Sequence, residues 1–148
     1  MPFDRSIIEA QMTLGLICSS DMPSIACDAL EAGLDGPAIR RLAALESPTF
    51  FEVREILPRA MLEMGLVQVS SGVAAIRLAK KRANEILERG EDPLKQTQEF
   101  ERLWIDAGYP FEMRSLETLD DEVYLARAGE SDEAIRKWVV RRLHEFIS

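Results

Sequence analysis

The residues of this chain best suited to recognition lie between Tyr109 and Glu122. There two aromatics, Tyr109 and Phe111, stand among Glu112, Glu117, Asp120, Asp121 and Glu122. Aromatic rings provide contact area that sheds water when covered, and like-signed charges around them steer a partner of opposite sign. The segment is a candidate surface for a basic protein partner. It also has a plainer reading, in which the two aromatics pack inward to cap the core and the carboxylates are simply solvated.

Catalysis has little to work with. A serine or cysteine nucleophile needs a base beside it. The single histidine, His144, falls on the flank of the last helix away from the Ile135–Val139–Leu143 stripe, where a solvated role is expected. His144-Glu145-Phe146 lacks the second histidine of a metalloprotease helix. One histidine and two separated cysteines, Cys18 and Cys27, supply zinc poorly. The sequence contains no calcium loop, phosphate-cradling glycine loop or dinucleotide fingerprint. Asp120, Asp121 and Glu122 are adjacent, so on a helix they point in different directions and do not form a placed acid–base pair. The reading is a noncatalytic protein, with no catalytic residue, no metal site and no cofactor.

Two other functions have partial support. Residues 25–42 roughly follow a helix-turn-helix register: Ala29 permits close approach, Gly33 makes the turn, and Leu34, Ile39 and Leu42 are apolar. Arg40 and Arg41 would then project from a recognition helix. Asp28 occupies a normally apolar position, however, and Asp28, Glu31, Asp35 and Glu46 would oppose phosphates. A small-ligand site between helices is the other alternative, near Pro58, which sits inside a helical pattern and predicts a bend or break there. The basic clusters Arg77-Lys80-Lys81-Arg82 and Arg136-Lys137-Arg141-Arg142 are read as solvated faces, the first balanced by Glu85 and Glu88.

The elements that would position these residues are marked by glycines that stop one helix just before a capping residue starts the next. The pattern stands at Gly33–Pro37, Gly90–Pro93 and Gly129–Asp132, with a looser version from Gly65 to Ser71. Thr49 with Glu52 and Thr118 with Asp121 have the spacing of a capping box. Helices are expected from Asp4 to Cys18, from Pro23 to Gly33, from Pro37, from Thr49, from Ser71 to Arg89, from Pro93 to Ala107, from Thr118 to Gly129, and from Ser131 to the end. Their apolar markers include Leu16, Phe50, Val53, Leu57, Met61, Val73, Ile86, Phe100, Leu103, Val139 and Leu143. Leu66-Val67-Gln68-Val69 is strand-like and too short to carry a sheet.

With 148 residues and no low-complexity divider, one all-α domain is expected, residues 1–148: an irregular orthogonal bundle of seven to eight helices with short glycine-terminated connections. Cys18 and Cys27 are read as reduced and buried. The absence of a secretory leader or an apolar span suggests a cytoplasmic protein without membrane contact. The net charge of −8 repels phosphate backbones and suits a cationic protein.

The run from Ala29 to Ala43, continued by residues 49–66, Gly90-Glu91-Asp92-Pro93 and Leu119-Asp120-Asp121, resembles a type of small bacterial all-helical protein of unknown function. Some proteins of that type are suspected immunity partners of secreted toxins. The resemblance implies an immunity-like, protein-binding role and assigns no residue to a site.

Overall fold

The computed structural model describes residues 2–148. The protein is all-helical, with eight α-helices and no strand among the described residues. It divides into two compact units, Met1–Val69 and Ser70–Ser148.

The first unit holds α1 (Arg5–Thr13), α2 (Met22–Glu31), α3 (Pro37–Ala43) and α4 (Phe50–Met64), with a 3-10 turn at Ser19–Asp21. Asp4 caps α1 by accepting the Ile7 N–H at 3.2 Å. The helix stops well short of Cys18. Gly15 turns left-handed at φ 68°, and the Leu16 N–H reaches back to the Gln11 carbonyl at 2.9 Å. Leu16 consequently lies beyond the helix and is exposed rather than buried.

The core of this unit is built from Met22, Ala26, Ala29, Ala38, Ile39, Leu42, Val53, Ile56, Ala60 and Met64. The alanines on α2, α3 and α4 lower the side-chain volume where α3 packs on both neighbours. Thr49 and Glu52 form the expected capping box at the start of α4. Pro58 does not break α4, which runs unbroken from Phe50 to Met64. The strand-like run after it is extended and docks on α1: buried Glu9 accepts the Val67 N–H at 2.6 Å, and Thr13 donates to the Val69 carbonyl at 3.0 Å.

The second unit holds α5 (Ser71–Arg89), α6 (Thr97–Asp106), α7 (Leu119–Ala126) and α8 (Asp132–Ile147), with 3-10 turns at Pro93–Lys95 and Phe111–Leu116. α5 spans the residues expected from its sequence, capped by Ser70 and closed at Gly90. Its buried face differs from the expected one. Ala74, Ala75, Ala79, Ala83 and Ile86 are buried, whereas Val73 is exposed. The alanine series recurs at helical spacing and faces the core, so small size rather than hydrophobic bulk marks that side.

α6 buries Phe100 and Leu103, and α8 buries Ile135, Val139, Leu143 and Phe146. Arg82 ties the last turns of α5 to the connection beyond it and to α6, with Glu85 and Glu91 at 3.0 Å and Glu99 at 3.4 Å. Gly129, expected to stop α7 in the left-handed region, is not among the glycines with positive φ. The Gly129 and Glu130 N–H groups instead donate to the Ala126 carbonyl, at 3.1 and 2.8 Å.

The start of α7 departs most from expectation. Thr118 makes no side-chain cap and adopts a left-handed backbone at φ 53°, so the Thr118–Asp121 capping box does not form. Leu116 and Leu119 are both fully buried on either side of it. Only Glu117 and Thr118 lie between them, and the chain turns from the 3-10 segment into α7 across these two residues with both leucines inward. Thr118 takes the strained conformation that this requires.

Candidate functional site

Two surfaces have distinctive chemistry, one in each unit. In the second unit, α6 is closed by Gly108, whose φ of 77° is succeeded by 62° at Tyr109. The Tyr109 N–H closes the helix on the Trp104 carbonyl at 3.0 Å, and the two rings meet edge to face at 4.6 Å. Tyr109 is nonetheless 60% exposed and Phe111 73% exposed, so neither caps the core. The capping role falls to Met113 and Leu116, both fully buried. Phe111 keeps one face against the Arg114 guanidinium, 4.2 Å from the ring centre.

The carboxylates of this segment have separate roles. Glu112, Glu117 and Asp121 are exposed. Asp120 is half-buried and accepts a hydrogen bond from the buried Thr97 hydroxyl at 2.7 Å. Glu122 is directed towards α8, where its Oε2 is buried without a hydrogen bond and lies 4.0 Å from Arg142. α6 adds a residue the sequence reading missed, Glu101. Its carboxyl is held above the ordinary 4.5 by burial, and then by the negative charges of Asp121 and Asp120. Glu101 forms no ion pair among the described residues. It lies one helical turn from Thr97, the partner of Asp120, and because that partnership spans 23 positions no local pattern marked Glu101.

The first unit has an apolar cleft of about 480 Å³. α4 supplies one wall through Phe50, Val53, Arg54, Leu57, Pro58 and Met61, at spacings of three and four residues. Met12 of α1, the Ile17-Cys18-Ser19 turn and Met22 of α2 complete it. Cys18 and Cys27 are both exposed free thiols, contrary to their expected burial. Gly15 ends α1 early and leaves the Cys18 segment outside the helix, while the Cys27 thiol, on α2, lies 4.0 Å from the Ala43 carbonyl at the end of α3 and remains open to solvent.

No protein-family model, curated protein or solved structure matches this chain. The geometry alone must therefore carry the functional reading.

Residues 25–42 fold into α2 and α3, a helical hairpin. Arg40 is held by Asp35, with contacts of 2.8 and 2.5 Å, and that pairing keeps the Asp35 carboxyl below its ordinary range. The first amides of α3 are occupied as well: Glu63, its side chain only 10% exposed, accepts the Ala38 and Ile39 N–H groups at 3.3 and 3.0 Å. Gly36 makes this approach possible, because a Cβ there would lie 2.2 Å from Glu63 Oε1.

His144 is exposed at the edge of a separate cleft that also includes Asp92 and Arg136. Asp92 is committed to Arg136 at 3.1 Å and to the Leu94 N–H at 3.1 Å, with the Arg136 bond lowering its carboxyl pKa most. Among the described residues, no three His, Cys, Asp or Glu side chains gather as a metal site. No helix among them is long and apolar enough to cross a membrane.

Proposed function

We propose that the protein is a noncatalytic protein-binding module, immunity-like in character, whose second unit presents an acidic aromatic face to a basic partner. The observation that carries this reading is the exposure of Tyr109 and Phe111 in the same unit as an under-neutralised group of carboxylates. Exposed rings in a segment rich in carboxylates suit an interface, even with Arg114 against Phe111: the rings give up water on contact, and the charge selects and orients the partner. Burial first, and then the charges of Asp121 and Asp120, disfavour the ionised form of Glu101, and a lysine or arginine from outside would offset that penalty.

Two further observations favour this over reading DNA with residues 25–42. Arg40, which would face phosphates, already holds Asp35. The α3 amides that would receive a phosphate already hold Glu63.

The test is affinity capture with the full chain and with a Tyr109→Ser/Phe111→Ser/Asp121→Lys variant, at low and high salt. The expected result is a basic protein retained by the native chain, released by salt and absent from the variant. Equal retention by both chains sinks the interface. Retention of duplex DNA or heparin by the native chain at low salt favours the helix-turn-helix reading instead.

A further inference from the structure

Independently of the acidic face, the cleft of the first unit points to a ligand of different chemistry. Its walls are almost entirely apolar, with Met12, Met22 and Met61 contributing flexible thioether chains that fit irregular shapes. Its volume of about 480 Å³ is within the range of small-molecule sites. Pro58 contributes its ring to the apolar wall of α4.

Arg54 is the one charged residue of the lining. It is exposed and makes no ion pair among the described residues, whereas Arg40 and Arg59 of the same unit hold Asp35 and Glu63. Arg5 and Arg41 are likewise without an ion pair among the described residues, but of these arginines Arg54 alone lines the cleft, so its guanidinium is the one available to a ligand there. Asp21, next in sequence to the lining residue Met22, is committed to the backbone, accepting the Cys18 N–H at 2.8 Å.

We infer that this cleft binds a free, single-chain fatty carboxylate of medium length, its alkyl chain against the three methionines and Leu57 and its head group on Arg54. The planar guanidinium matches a carboxylate with two parallel hydrogen bonds. The apolar walls offer little to a polar ligand body, and the net charge of −8 opposes the many charges of an anionic bilayer far more than the single carboxylate that Arg54 would neutralise. The occupant is thus a dissolved amphiphile rather than a membrane surface.

The two exposed thiols make the test self-controlled, because Cys18 lines the cleft and Cys27 does not. The full-length protein is alkylated with iodoacetamide and each cysteine is followed by peptide mass spectrometry. The arms contain decanoate, decyltrimethylammonium, or vesicles of anionic phospholipid, with both amphiphiles below their micelle-forming concentrations. Decanoate is expected to slow alkylation of Cys18 several-fold and leave Cys27 unchanged. Arg54→Gln, a surface substitution that leaves the core intact, is expected to weaken decanoate about tenfold, as loss of one charge-assisted contact does. It also erases the preference over decyltrimethylammonium. Three results overturn the inference: no selective protection of Cys18, equal protection by the cationic amphiphile in the native protein, or protection by vesicles without protection by decanoate.

Discussion

The starts of α4 and α7 share a threonine followed three residues later by an acid, yet their backbones differ. Thr49 is extended at φ −80° and ψ 163°, and its hydroxyl accepts the Glu52 N–H. Thr118 is left-handed at φ 53° and caps nothing. The first helix residue after each explains the contrast. Phe50 follows Thr49 and is 62% exposed, so no packing demand competes with the local hydrogen bonds. Leu119 follows Thr118 and is fully buried, as is Leu116 before it. Local chemistry therefore sets the helix start where the flanking side chains are free, and burial sets it where they are not. Both starts adjoin a candidate site, the cleft in one unit and the acidic segment in the other.

The largest expected effect comes from removing the side chain that sets the α7 start. Leu119→Ala is predicted to cost about 2–5 kcal/mol, the range for truncating a buried leucine. Phe50→Ala, at the equivalent position of α4, is expected to change stability by less than about 0.5 kcal/mol. Urea midpoints at constant denaturant slope measure both. A Phe50→Ala loss as large as that of Leu119→Ala would show that packing governs both starts, and the contrast would disappear.

Next is the start of α3, satisfied by a carboxylate from α4 rather than by its own cap. Glu63→Ala leaves the Ala38 and Ile39 amides without their charged partner and is predicted to cost about 1.5–3 kcal/mol. Gly36→Ala should cost a similar amount, because the new methyl drives Glu63 away. The backbone at Gly36 is extended, with φ at 173°, so the alanine itself is tolerated. In the double variant the second substitution should therefore add almost nothing. Additive losses would show that Gly36 is needed for a reason other than access for Glu63.

These cases show how far the sequence could be read. The Thr49–Glu52 cap and the bounds of α5 rest on neighbours within one turn, and such signals survive folding intact. Glu63 capping α3 could not be seen, because its partners are 24 and 25 positions away and nothing local links them. The cleft shows the same limit. Phe50, Leu57 and Met61 read as core alongside Val53, Ala60 and Met64 because their spacing is that of a buried stripe. α4 does bury Val53, Ala60 and Met64, with Ile56, while Phe50 is exposed and Leu57 and Met61 are only partly buried. On the acidic face, the exposed rings and most of the carboxylates were legible as types. Glu101 was not, since its nearness to Asp120 and Asp121 is a product of α6 packing on α7.

The capping contrast gives a smaller and sharper test. Thr49→Ala removes a working cap and is predicted to cost about 1 kcal/mol. Thr118→Gly should do the opposite. It relieves a left-handed penalty of about 1–2 kcal/mol and adds about 0.5–1 kcal/mol of unfolded-state freedom, for a net gain of up to about 1.5 kcal/mol. Thermal melts resolve the two signs. Destabilisation by Thr118→Gly would mean that its side chain makes a contribution absent from the cap geometry.

The smallest expected effect bears most directly on function. Glu101 has a folded-state pKa above its ordinary 4.5, owing first to burial and then to Asp121 and Asp120. Its charged form is therefore disfavoured by folding. The penalty is absent below about pH 4.5 and complete once the pH exceeds the raised value, so stability falls as the pH rises through that window. Asp92 and Glu85 have lowered values and act in the opposite sense, losing their contribution as the pH drops below 3.8 and 4.5. Glu101→Gln should consequently raise the melting temperature slightly at pH 7.5 and leave it unchanged at pH 4. A basic partner seated on the face would supply the cation that Glu101 lacks, so its affinity should increase across the same window in the native protein and stay flat in the Gln variant. If native and variant affinities follow the same pH curve, Glu101 lies outside the interface and the acidic face ends at α7.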